Sequence, residues 1–396
     1  MSFFLQAPAR INILGNPSDA NEGDFATISA AVDLYAYARI EANPGIILEQ
    51  KSNSTASLET TCRETYDLKD IPLPYNGKLD LVKGAVNRLY AYSPEFRQAI
   101  QRHGFALSTW TDVPRQSGLG GSSLFPILAL GALRSLYHLD SATLNEYVLA
   151  ELAQRVEAKE LGITAGYADR YVPIFGGVAY LDYRGKLHQK SIHQEPYTTY
   201  ERLDLWVNEF PLVAVSSGVV RDSGDVHGKM RPRYIQEYDS WVASGGPIPP
   251  MVGFMSRAWE TAWKGKIALI HQDWVTFGQL MNQNHQAVNE MMEYCGFEDG
   301  AGWANNLLVE TALTHGALGA KLTGAGGGGS VFALTLPGQE NNLIATWQKV
   351  IREAGLERAF IFQPHIARQG LSVQPYPTEK RDKLPDRSIG SDTDER

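Results

Sequence analysis

One run of ten residues constrains this chain more than any other: Pro114-Arg115-Gln116-Ser117-Gly118-Leu119-Gly120-Gly121-Ser122-Ser123, followed at once by an apolar stretch reaching about Tyr137. Its glycines let the backbone turn tightly and bring peptide N–H groups close to a ligand. The apolar stretch reads as a helix, whose start offers orphan N–H donors and the positive end of the helix dipole, a setting that suits phosphate. Ser122 and Ser123 are candidate caps for that helix, and either hydroxyl could ligate a divalent ion. Pro126 fits if it falls in the first helical turn, where a missing N–H matters little. The bland alternative is a glycine-serine turn that only caps a helix. No Gly-Lys-Ser/Thr closes the run, so it is not a P-loop.

A second glycine run, Gly324-Ala325-Gly326-Gly327-Gly328-Gly329, formally matches the dinucleotide fingerprint. The fingerprint needs a helix next, whereas Ser330-Val331-Phe332-Ala333-Leu334 reads as a strand, so that reading is rejected. Ordering so many glycines is entropically expensive, which points to close approach of backbone to a ligand or to the other glycine loop.

The 396 residues suggest two domains or one large one. A formal net charge of −8 argues against a nucleic-acid binder. Two cysteines, Cys62 and Cys295, give neither a disulfide framework nor a cysteine zinc site. The N-terminus MSFFLQAPARIN does not read as a signal peptide, and no apolar run is long enough to span a membrane, so a cytoplasmic chain is expected. Strands are expected at 34–42 and again after Asn43-Pro44-Gly45, with a loop or lid over 50–66. Further expectations are helices at 79–90 and 141–161, a strand at 105–113, and a strand at 174–183 entered through Gly176-Gly177. A boundary is expected near 195–205, then a strand-like run over 205–217, helices around 251–293 and 301–317, and a disordered tail over 376–396.

Taken together the residues resemble the GHMP kinase superfamily. PARINILGNPSD at 8–19, PRQSGLGGSS at 114–123, and LMNQNHQAV at 280–288 with GALGAKLTGAGGGGSVFAL at 316–334 match its three motifs in order. Within it the nearest likeness is to the glucuronokinases, through LGNPSD, PRQSGL, AKELGITAGYADR and RDSGDVHGKMRPR. The sequence departs from the pattern at Leu124, where alanine is usual, and at Gly166-Tyr167-Ala168-Asp169, where the glucuronokinases carry Gly-Leu-Gln-Asp.

The resemblance implies an α+β fold with a ribosomal S5 domain 2-like N-terminal domain (1–200) and a ferredoxin-like C-terminal domain (201–375), with ATP between them. It implies phosphoryl transfer from ATP to an alcohol, with Mg²⁺. Asp169 matches the candidate base, and Arg10 is a second catalytic candidate. Glu157 fits the metal glutamate, with Glu160 as competitor, and Ser123 or Ser122 completes the metal ligands. Pro114, Gly118, Leu119, Gly120, Gly121, Ser122, Ser123, Gly326 and Gly327 are expected to hold the phosphates. Asn16, Ser18, Asp19, Arg115, Arg170, Asp222 and Ser223 are expected at the substrate, since Asn and Asp suit sugar hydroxyls and arginine pairs with a carboxylate. Arg221, Arg231, Arg233 and Lys229 are further candidates for that carboxylate. D-glucuronate is the favoured acceptor. Galacturonate, arabinose, galactose or a heptose phosphate are alternatives, and an ATP-dependent decarboxylase or a silent sugar sensor are more distant ones. A small-molecule substrate is expected, with no nucleic acid or membrane partner, in a monomer or homodimer.

Overall fold

The structure, a computed structural model, describes residues 2–21, 25–53, 58–164, 166–186, 191–207, 209–219, 223–324 and 326–376. The expected tail beyond Tyr376 lies outside the described residues, as do Arg221 and Asp222.

The first sheet contains β1 (Ser2–Leu14), β2 (Ala26–Asn43), β3 (Ile46–Asn53), β4 (Leu58–Tyr66), β5 (Gly104–Thr111), β6 (Val178–Asp182) and β7 (Thr199–Arg202). A second sheet is formed by β8 (Leu212–Ser216), β9 (Gly319–Thr323), β10 (Ser330–Leu334) and β11 (Phe360–Phe362), and β12 (Ser372–Pro375) returns to the first. The first sheet runs β12-β1-β2-β5-β3-β4, with β6 and β7 continuing from the early part of β2. Among the described residues, only the β3–β5 pair of its ladders is parallel. The long β1–β2 ladder carries two irregularities, between Pro8 and Ala9 and between Asn12 and Leu14, which flank the paired stretch that carries Arg10 and Asn12.

The helices are α1 (Asp80–Tyr92), α2 (Pro94–Ala99), α3 (Gly121–Leu136), α4 (Glu146–Arg155), α5 (Ala168–Phe175), α6 (Ser223–Ser244), α7 (Pro250–Ile270), α8 (Trp274–Tyr294), α9 (Trp303–Thr314) and α10 (Glu340–Glu353). Helix α3 is apolar on nearly every face because β1, β2, α1, α4 and α5 surround it. In the second sheet, alternation along β8 divides two cores. Val213 and Val215 join Leu308 of α9 and Trp347 of α10, whereas Leu212 and Ala214 join the main core with Phe277 and Met281 of α8. No described helix is long and apolar enough to cross a membrane.

The α+β class is as expected, and four local readings need correction. Residues 50–66 hold a β3–β4 hairpin rather than a loop; β4 exposes most of its side chains, so no apolar alternation marked it (54–57 lie outside the described residues). The helix expected at 141–161 begins only after its cap Asn145 and gives way to a π-helical turn, Val156–Glu160. Residues Ile174 and Phe175 close α5 instead of opening a strand, and in the 205–217 run the strand covers only Leu212–Ser216. Helix α6 went unseen because Gly224, Gly228 and Pro232 all weaken its helical signal.

Candidate active site

The loop between β5 and α3 turns through Gly118 (φ +75°) and Gly120 (φ +76°), conformations in which a Cβ is strained. Gly120 is itself the N-cap of α3 and makes no side-chain cap bond, so the expected capping by Ser122 or Ser123 does not occur. Pro126 is the sixth helical residue rather than a first-turn one, so the Ser122 carbonyl receives no main-chain donor from that position. The second glycine run lies directly against this loop. A Cβ on Gly118 would sit 2.7 Å from the Thr323 carbonyl oxygen, and one on Gly324 would sit 3.0 Å from the Gly118 Cα. The glycines therefore let two backbones touch, with strand β10 following as expected.

Around these loops lies a cleft of about 1070 Å³. Arg10, Asn16, Asp19, Pro114, Arg115, Gly118, Gly120, Gly121, Ser122, Glu157, Asp169, Arg170 and Gly326 all line it. Arg10 is buried, its Nε donates to Asp169 Oδ1 at 2.5 Å and its Nη1 to the Gly118 carbonyl at 2.5 Å. One guanidinium thus joins a carboxylate on α5 to the first glycine loop. Burial pushes the Asp169 carboxyl up, but the Arg10 and Arg170 charges outweigh it and hold Asp169 below its ordinary value. Asp19 behaves oppositely. Burial, then the nearby Asp169 charge, raises it to about 6, although Arg10 and a hydrogen bond from the Ala168 N–H at 3.2 Å pull the other way.

Glu157 stands on the π-helical turn, buried, with Oε2 paired to Arg170 Nη2 at 2.5 Å and Oε1 without a hydrogen-bond partner among the described residues. Its competitor Glu160 is committed elsewhere, to the Arg88 guanidinium and the Tyr75 hydroxyl. Ser123 is also buried with an unpartnered Oγ, whereas Ser122 reaches the cleft wall. No group of three His, Cys, Asp or Glu side chains able to hold a metal occurs among the described residues. Mg²⁺ does not require one, since it keeps waters and phosphate oxygens and takes only one or two protein carboxylates. Glu157 Oε1, an orphaned oxygen on a cleft-lining residue, fits that modest demand, and Ser123 Oγ is likewise buried and orphaned, though Ser123 is not on the cleft wall.

Other expected residues stand apart. Leu119 is a core side chain and Ser18 points its hydroxyl at the Ala26 carbonyl, 3.4 Å away. Gly327 is not on the cleft wall; its N–H donates to the Ala301 carbonyl at 2.7 Å. Arg233 is spent on Tyr294, with Nη1 on its carbonyl at 2.5 Å and the guanidinium 3.6 Å from its ring centroid. Lys229 stands 4.6 Å from the centre of the Phe297 ring. Asp222 falls outside the described residues, and Ser223 is fixed only as the start of α6.

Several wall and support residues were not singled out from sequence. His227 lines the cleft with Nδ1 unpartnered, and burial lowers it to about 4 despite the Asp169 charge. Lys321 donates to Asn16 Oδ1 at 2.6 Å and to the Leu322 carbonyl at 2.7 Å; burial, then Arg10, pushes its pKa well down. Asn284 accepts from the Gly15 N–H at 3.0 Å and donates to the Asn16 carbonyl at 3.1 Å. Both Lys321 and Asn284 lie inside quoted motifs, so the signal was present; only the contacts across roughly 270–300 positions were hidden.

Comparison with known proteins places this geometry. The GHMP kinases N terminal domain model matches residues 80–177, and the GHMP kinases C terminal model matches residues 304–353. The chain belongs to the GHMP kinases. Among curated relatives, probable glucuronokinase 2 of Arabidopsis thaliana is 29% identical over 367 residues, 90% of this chain and 89% of that protein. The D-glycero-alpha-D-manno-heptose 7-phosphate kinase of Campylobacter jejuni is 26% identical, covering 90% of this chain and 95% of that one. Among solved structures, Lactococcus lactis galactokinase complexed with galactose superimposes with a TM-score of 0.72 at 19% identity, over 94% of this chain and 95% of that one. This GHMP kinase therefore has the two-domain α+β fold of its family and is a phosphotransferase.

Proposed function

We propose that this kinase transfers the γ-phosphoryl group of ATP to a hydroxyl of a sugar or sugar acid, D-glucuronate to D-glucuronate 1-phosphate before others. The observation that carries the reading is the Arg10 bridge, which ties the ionised Asp169 to the Gly118 carbonyl of the loop expected to hold phosphate. The acceptor oxygen bonds to the γ-phosphorus, the bond to the ADP oxygen breaks, and the hydroxyl proton passes to Asp169. A carboxylate held at low pKa is a weak base, which suits a loose phosphoryl transition state in which the proton leaves late. Bound Mg²⁺, held by Glu157 and Ser123, would neutralise charge on the phosphates. The start of α3 and the N–H groups of Gly120 and Gly121 would face the transferred group. In this reading the chain divides near residue 200, with Ser372–Pro375 returning to the first sheet.

Two features support a sugar acid. The glucuronokinase relatives span nine-tenths of the chain. Arg115 is exposed on the cleft wall, and no ion pair of it is recorded among the described residues, so it is available to a carboxylate. Asn16, Asp19 and His227 would take the hydroxyls. The heptose 7-phosphate kinase relative makes a sugar phosphate the second reading, because the same arginine would receive a phosphate. Coupled ADP release with Mg-ATP, run against D-glucuronate, D-galacturonate, L-arabinose, D-galactose and a heptose 7-phosphate, tests both. Selective turnover of D-glucuronate with a 1-phosphate by phosphorus NMR is expected. Turnover of neutral sugars alone would discard the sugar-acid reading.

A further inference from the structure

Arg170 was expected at the substrate, but its contacts point inward. It is buried, with Nη2 on Glu157 Oε2 at 2.5 Å and Nη1 on the Gly166 carbonyl at 2.5 Å. Nη1 also stands 3.7 Å from Asp169 Oδ2, and Nε has no partner among the described residues. The guanidinium therefore lies between the carboxylate assigned to the metal and the carboxylate assigned to the acceptor proton. With both terminal nitrogens engaged, it offers a substrate carboxylate no bidentate fork.

We propose that Arg170 is a positioning residue that neutralises Glu157 and so makes its cation site conditional on nucleotide. This rests on the reading of Glu157 as the metal carboxylate. Glu157 presents one free oxygen, but its charge is already matched by the adjacent arginine. A divalent ion approaching Oε1 meets a formally neutral pair, and Mg²⁺ dehydrates reluctantly for so little. Phosphate oxygens brought by the nucleotide supply the missing negative charge. The ion is therefore taken up with its nucleotide, and bare cation does not accumulate beside the ionised Asp169. Arg170 also fixes which oxygen is presented, since Oε2 is spoken for, and its bond to Gly166 ties the connecting loop to the same point.

The test is Mn²⁺ binding to the full chain, followed by the electron paramagnetic resonance of free Mn²⁺, without nucleotide and with a non-hydrolysable ATP analogue. Wild type should bind Mn²⁺ weakly alone and tightly with the analogue. Arg170→Gln should bind bare Mn²⁺ at least about tenfold more tightly than wild type, the effect of removing one nearby positive charge even at near-aqueous screening. Arg170→Lys, which keeps the charge, should stay weak. Adding Glu157→Gln to Arg170→Gln should abolish the gain. Equal nucleotide-free affinity in wild type and Arg170→Gln overturns the proposal, and so does an equal gain in Arg170→Lys. Tight binding of bare Mn²⁺ by wild type overturns it too, with no variant needed if Arg170→Gln fails to fold. A separate arm isolates the underlying reading: unchanged Mn²⁺ binding with the analogue in Glu157→Gln would remove Glu157 from the metal, whatever Arg170 does.

Discussion

Asp19→Asn should stabilise the protein at neutral pH. The Asp19 carboxyl, buried and facing Asp169, is raised from 3.8 to about 6. Between those values the folded state holds a proton that the unfolded chain has released. Stability contributed by this group therefore falls as pH rises through the window, and the penalty is complete above about pH 6. A shift of roughly two units corresponds to about 3 kcal/mol. Asparagine removes the charge yet keeps an oxygen for the Ala168 N–H, while the attraction to Arg10 is lost. The net gain should be about 1–3 kcal/mol at pH 7.5 and close to zero at pH 4. For 396 residues the unfolding entropy is on the order of 0.8 kcal/mol/K, so the gain reads as about 1–4 °C in Tm. Asp169, whose pKa is lowered, loses its own contribution only below its ordinary value and does not confuse this window. The assay is differential scanning fluorimetry of both proteins from pH 4 to 8. A variant no more stable than wild type at pH 7.5, or a difference that does not change with pH, would refute the electrostatic argument.

Other expectations follow from the same cleft. Asp169→Asn should retain ATP binding by calorimetry and lose turnover by about two orders of magnitude or more; wild-type turnover would remove it from the proton's path. Glu157→Ala should depress Mg²⁺-dependent activity far more than Glu160→Ala, whose carboxylate serves Arg88 and Tyr75, and the reverse order would reassign the ligand. Gly118→Ala combines a left-handed backbone with a Cβ 2.7 Å from a carbonyl oxygen, so it should lose about 2 kcal/mol or more by denaturant titration and raise KM for ATP; an unchanged midpoint would mean the two loops part easily.

The sequence marked residues that line the cleft better than those that support it. Motif strings marked Arg10, Asp19, Glu157, Asp169 and both glycine loops, because each needs a residue type at a local spacing. The Arg10–Asp169 bond joins positions 159 apart, and no local pattern encodes that separation. The contacts of Arg170 with Glu157 and the Gly166 carbonyl were hidden too, since local sequence does not tell a buried arginine from an exposed one. The π-helical turn beneath Glu157 left no trace either, since periodicity continues through it with only a small phase change. The β3–β4 hairpin and α6 were lost to solvent-facing strand residues and to an interior proline.

The pairing of β12 with the outer edge of β1 bears on how the molecule is made. Residues Ser372–Pro375 cover Phe3–Gln6, on the strand that carries Arg10, and the Tyr376 N–H reaches the Ser2 carbonyl. Ser2 and Tyr376 lie 374 positions apart, so during synthesis β1 is made long before that neighbour. Until then its far edge is open to any extended chain nearby. A nascent chain stalled before Ser372 would expose an unpaired ladder leading toward Arg10, a point at which a chaperone would be needed.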